Sequence, residues 1–216
     1  MPERVPEPPD FALKKPRLHT WSRGVVLYRI FDTTRGPSSF NPGTSPPEVR
    51  SRFAFFSGPH GKTVGVAYAA ESEEGAICET VFHDVPLTSS PRQILASRLA
   101  PLALVALRPA RDLSLVELFG SGLTRLGVRA DHLTATGANT YPKTVAWAKA
   151  LHAALPDVDG LVWMSCRFNT AKAVVLFADR ISASDLAVHG APLPLVSGAG
   201  RRLVNEAADH ADIDIV

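Results

Sequence analysis

The stretch GVAYAAESEEGAICETVFH, Gly65 to His83, changes its hydrophobic period part-way along. Val64, Val66 and Tyr68 alternate as a short strand does, and from Ser72 to Phe82 the pattern turns helical, with Ser72 placed as an N-cap. A strand feeding a helix inside one short segment points to a fold that mixes the two. Tyr68 and Glu79 bracket the switch. If Ile77, Thr80 and Val81 face the core, then at 100° per residue Glu79 lies roughly 160° from Val81, on the helix's far face. The pattern alone makes Glu79 a solvated carboxylate. The alternative is that this face lines a cleft, with Gly75 and Ala76 leaving room for a ligand and Tyr68 closing it from the strand.

Outward from that stretch, Trp21 to Phe31 (WSRGVVLYRIF) alternates well enough to be one strand, with Arg29 as its misfit. A lone arginine among apolar neighbours either reaches water at a sheet edge or is held inside by an anion. The segment by itself favours the edge. Asp32 to Arg50 is a long loop rich in Pro, Ser, Thr and Gly. Arg52 follows it beside Phe53, Phe55 and Phe56, where it could grip a phosphate or stack on a ring, while the phenylalanines could equally fill the core. A turn at Gly58-Pro59-His60-Gly61 comes next.

Beyond His83, Val85 to Arg92 is a turn region, and Ile94 to Arg108 and Leu113 to Phe119 are apolar runs of strand type. Residues 120–143 carry no clear pattern. Thr144 to Leu155 is the best amphipathic helix in the chain, with Val145, Ala148, Leu151 and Leu155 on one face and Pro156 as its stop. Gly160 to Ser165 and Ala173 to Ala178 are strands flanking a polar turn. The segment 191–216 is expected to be loop followed by a short helix near Arg202 to His210. Residues 1–20 form a polar lead-in with prolines, without the basic start and apolar block of a signal peptide.

Composition sets the outer limits. With 216 residues, 45% apolar and 20% charged, the chain can build one sizeable core, so a single domain is the default. A net charge of +2 without long charged blocks gives no footprint for nucleic acid or membrane. The cysteines Cys78 and Cys166 suit free, buried thiols and a reducing cytoplasm. Familiar chemical motifs fail. Gly61-Lys62-Thr63 ends like a phosphate-binding loop, but Phe56 occupies the place of its first glycine. Gly120-Ser121-Gly122 lacks the third glycine of a dinucleotide fingerprint, since Arg125 stands there. No histidines pair at zinc-ligand spacing, so no metal is expected, and Ser165 is not in a GxSxG elbow.

The succession LYRI, then Arg52-Phe53, then AYAAESEEGAICE, and finally DGLVWMSCRFNTAKAVVLF resembles the RES-domain family, over roughly Trp21 to Asp179. That resemblance implies that Arg29, Glu79 and Ser165 are the family's arginine, glutamate and serine, with Tyr68 and Arg52 as further NAD-binding pocket residues. Ala54 stands where many members have Asn, and Ile30 where some have Tyr. It further implies a compact α+β domain with a mixed or antiparallel sheet, similar to the ADP-ribosyltransferase fold, spanning about 21–190. The implied activity is that of a toxin that degrades NAD as its substrate, with inorganic phosphate or water as acceptor and no cofactor. A helix-turn-helix, Xre-like antitoxin is the implied partner. Transfer of ADP-ribose to a macromolecule, and an NAD-binding module without catalysis, stay open as alternatives, as does a homo-oligomer.

Overall fold

A computed structural model of the chain describes residues 5–43, 51–58, 61–86, 88 and 90–216. Parts of three expected segments, the loop before Arg50, the turn at Pro59-His60 and the turn after Val85, lie outside the described residues. In chain order the elements are β1 (Leu18–Trp21), β2 (Leu27–Asp32), β3 (Phe56–Ser57), β4 (Thr63–Val64), β5 (Val66–Ala70), α1 (Glu73–Thr80), β6 (Gln93–Ile94), β7 (Leu102–Pro109), β8 (Leu113–Glu117), α2 (Gly120–Leu126), α3 (Ala130–Leu133), α4 (Tyr141–Ala154), β9 (Gly160–Met164), β10 (Lys172–Phe177), β11 (Leu186–Pro194), α5 (Gly198–Ala211) and β12 (Asp214–Ile215).

Eight of these strands form one sheet in the order β1-β8-β9-β10-β5-β2-β7-β11. Its ladders are antiparallel except β8–β9, which is parallel, so the domain is α+β with a mixed sheet, as the family resemblance implies. The central strands are buried on both faces. Trp163, Val175 and Phe177 pack toward Phe53, Phe56 and α4, whereas Val162, Val174 and Leu176 pack with Leu27, Val105 and Leu107. A third cluster joins α1 and α5 over β2 and β7 through Ile30, Ile77, Leu104, Val204 and Ala207. Each cluster removes large apolar side chains from water, the main stabilising contribution to such a domain.

Several expectations need correction. Trp21 to Phe31 is two strands, not one. Gly24 adopts φ 76°, and its N–H donates to the Pro109 carbonyl at 3.0 Å, turning the chain so that β1 ends at a sheet edge while β2 runs inside. The lead-in also contributes to the core: Val5 and Phe11 are buried, and the Pro6 carbonyl accepts the Trp147 indole N–H at 2.7 Å. On α4 the buried face is Tyr141, Thr144, Trp147, Ala148 and Leu151, rotated from the expected one because Trp147 rather than Val145 faces the core. The run after Ala191 begins as strand, not loop, because β11 continues to Pro194 as the sheet's outer edge, where exposure removes the alternation that marks a strand. The short helix expected near Arg202 is the middle of α5.

Candidate active site

The cleft begins where a ladder stops. β2 and β5 pair at one position only, Tyr28 with Ala70. Below that point β5 takes a different partner, since Val66 exchanges both backbone bonds with Asn41 at 2.7 and 3.0 Å. The strands part between these two contacts, and a cavity of about 390 Å³ opens there, lined among others by Arg29, Arg35, Arg52, Tyr68, Glu79 and Tyr141.

Glu79 reaches this cavity because of how α1 is seated. Ser72 Oγ accepts the Gly75 N–H at 3.0 Å and starts the helix, and Ile77 and Val81 are buried in the core behind it. The opposite face then looks into the cleft, and the Glu79 side chain is only 8% exposed. The solvated-carboxylate reading is therefore wrong, since a helix face away from the core need not face water when a second wall stands against it. Gly75 does not make room for a ligand either. A Cβ there would approach Ala70 and Ala171 at 3.3 Å, so this glycine lets α1 lie close on the sheet.

Arg29 is the second correction. β2 lies between β5 and β7, so the arginine is not at an edge and is 8% exposed. Its Nε and Nη1 have no hydrogen-bond partner among the described residues. Burial first, and then the nearby Arg35 charge, lower its pKa to about 10. Arg35 is itself steadied by Asn41 Oδ1 at 3.1 Å.

Arg52 closes the other side. Its Nη1 is 3.7 Å from Glu79 Oε2, its Nη2 donates to Cys166 Sγ at 3.6 Å, and its carbonyl accepts the Thr144 hydroxyl. Tyr68 holds the same segment, accepting the Phe53 N–H at 2.8 Å and donating to Ser51 Oγ at 3.4 Å. Burial pushes the Tyr68 phenol up to about 12, so it is neutral at ordinary pH.

Four of the five sequence candidates thus converge. Ser165 does not line the cleft: it is 1% exposed, and its Oγ accepts the Phe168 N–H at 3.0 Å, shaping the turn between β9 and β10. The next residue, Cys166, is exposed rather than buried as expected, because the turn lifts it off the strand toward Arg52. Sequence reasoning missed Arg35, Tyr141 and His83. The last lines the cavity one helical turn past Glu79, a spacing that could have revealed it. Among the described residues no group of three or more His, Cys, Asp or Glu could hold a metal, and no helix is long and apolar enough to cross a membrane.

Electrostatically the cavity is a cationic slot: Arg29, Arg35 and Arg52 stand against two carboxylates, the exposed Asp32, whose Oδ1 accepts from Thr34, and the buried Glu79. Buried polar atoms without partners among the described residues, here Arg29 Nε and Nη1, Arg52 Nε and Glu79 Oε1, cost free energy unless a ligand satisfies them. Guanidinium forks suit paired phosphate oxygens, and a carboxylate suits hydroxyls or developing positive charge.

The model of the RES domain matches residues 26–196, a span that includes every residue just described. The chain belongs to the RES-domain family. In fold, this RES domain is similar to a chain of the crystal structure of the M. tuberculosis MbcT–MbcA toxin–antitoxin complex. That likeness has 16% sequence identity and a TM-score of 0.57, and covers 88% of this chain and 92% of that one. Among curated proteins none matches the chain.

Proposed function

We propose that this RES domain cleaves the bond between nicotinamide and ribose in NAD. The observation that carries this is the set of unpartnered, buried guanidinium and carboxylate atoms converging on one cavity between β2 and β5. Arg29, aided by Arg35, would take the pyrophosphate, and Arg52 supports it from the opposite wall. Glu79 would accept from the ribose hydroxyls and stabilise the oxocarbenium character that develops as the C–N bond lengthens. The bonding pair leaves with nicotinamide, neutralising its pyridinium. An oxygen of phosphate or water then bonds to the anomeric carbon. With water a proton is released to solvent and ADP-ribose forms; with hydrogen phosphate the product is ADP-ribose-1″-phosphate. Ser165 would act from behind, holding the turn that presents Cys166 to Arg52.

Biologically, the reading is that of a toxin. Family membership and the likeness in fold to a chain of a toxin–antitoxin complex support it, and the partner would be a helix-turn-helix antitoxin that covers the cleft. The cytoplasm, where NAD is abundant, would be the site of action. Incubating purified protein with NAD, with and without phosphate, tests the chemistry by chromatography. Free nicotinamide with either ADP-ribose product supports the proposal and identifies the acceptor. Label retained on a protein or nucleic acid would instead assign transfer to a macromolecule, and unconsumed NAD would overturn the reading.

A further inference from the structure

The two phenols on the cleft wall are not equivalent. Tyr68 has its proton on Ser51 and a lone pair on the Phe53 amide, and both bonds run to the segment that carries Arg52. Tyr141, at the start of α4, is 4% exposed and lines the same cavity, yet its hydroxyl forms no hydrogen bond with any described residue. Arg52 and Glu79 line the cavity with it, and the start of α4 is joined to the Arg52 segment. Its backbone is tied down: the one Thr144 hydroxyl proton is shared between the Arg52 carbonyl and, at 3.1 Å, the Tyr141 carbonyl, joining the helix start to the Arg52 segment. A buried phenol whose hydroxyl has no partner among the described residues, at a polar cavity, is placed to meet a ligand.

We propose that Tyr141 is the ligand-contacting phenol of the cleft, donating to an oxygen of the nicotinamide riboside held at Glu79, while Tyr68 is a positioning residue that keeps Arg52 in place. This gives Tyr68, which the family resemblance implies is an NAD-binding pocket residue, a supporting role in that pocket, and it rests on the NAD reading above. Tyr68 acts through two bonds to its own chain, and Tyr141 through one bond to the substrate. The consequences of removing each hydroxyl therefore differ in kind.

The test compares Tyr141→Phe and Tyr68→Phe in the full-length protein, with initial rates of nicotinamide release and thermal melting as readouts. Tyr141→Phe should raise KM for NAD about tenfold, equivalent to about 1.4 kcal/mol, with kcat and melting temperature near the parent's. Tyr68→Phe should lower the melting temperature, since it strands the Phe53 N–H, and should lower kcat/KM. In an Arg52→Ala background, Tyr68→Phe should still lower the melting temperature but leave kcat/KM unchanged, which a purely structural role would not produce. A Tyr141→Phe protein with parental KM, or one that melts lower than Tyr68→Phe, overturns the proposal. If the parent itself releases no nicotinamide, the NAD reading falls first and this inference with it. Parental turnover beside an unaffected Tyr141→Phe removes this inference alone.

Discussion

Replacing Arg29 with methionine should make the empty protein more stable while removing its ability to bind NAD. The guanidinium is 8% exposed, and burial holds its pKa down at about 10, so folding penalises the charged form. At about 1.4 kcal/mol for each pH unit by which a proton equilibrium is displaced, the penalty in the empty fold is about 3 kcal/mol. The sign follows from proton counts. The folded state binds its proton less tightly than the unfolded chain does. The cost is therefore full at neutral pH and is relieved only as pH rises above about 10. Methionine keeps an unbranched apolar stem and carries no charge to desolvate. Arg29→Met should gain about 2 to 3 kcal/mol in chemical denaturation at pH 7, or about 5 to 10 °C in melting temperature. Calorimetric titration should show NAD affinity lost. A variant no more stable than the parent would mean that the guanidinium is already satisfied in the empty cleft, and the argument from unpartnered buried atoms would fail.

Other expectations follow from neighbouring features. Glu79→Gln, nearly isosteric, should lower NAD turnover by at least about a hundredfold with the fold intact by circular dichroism, and a variant at the parental rate would end the catalytic assignment. Ser72→Ala removes the cap on the Gly75 N–H and should cost about 1 kcal/mol, read as a fall of about 2 to 4 °C in melting temperature. Gly160→Ala would place a Cβ 2.0 Å from the Val175 carbonyl oxygen, inside the paired β9 and β10. A loss of about 4 kcal/mol or more is expected, and a parental melting temperature would show that the two strands can move apart freely.

What the sequence revealed was local. The change of period at Gly65 to His83 foretold β5, α1 and the Ser72 cap, because strand pattern and cap chemistry both act over a few residues. What it concealed was the order of strands. Whether Arg29 meets water or the interior depends on β5 and β7 standing on either side of β2, and Leu102–Pro109 is some seventy residues further along. Glu79 was misjudged for the same reason, since the wall facing it includes Arg52 and Tyr141 from distant segments. Residues 120–143 hold α2 and α3, helices of seven and four residues, which are too short to display a hydrophobic period. Tyr141 was hidden with them, at the first turn of α4 where no pattern had yet begun.

The slot between β2 and β5 is bounded at its two ends by backbone, with the Tyr28–Ala70 pair at one end and the Asn41–Val66 bridge at the other. Four strand steps separate Val66 from Ala70, a distance of about 13 Å. The opening is thus gauged by main-chain spacing. Exchanging the side chains along it would alter what it grips, but only moving one of those two clasps would alter how much of a ligand it can span.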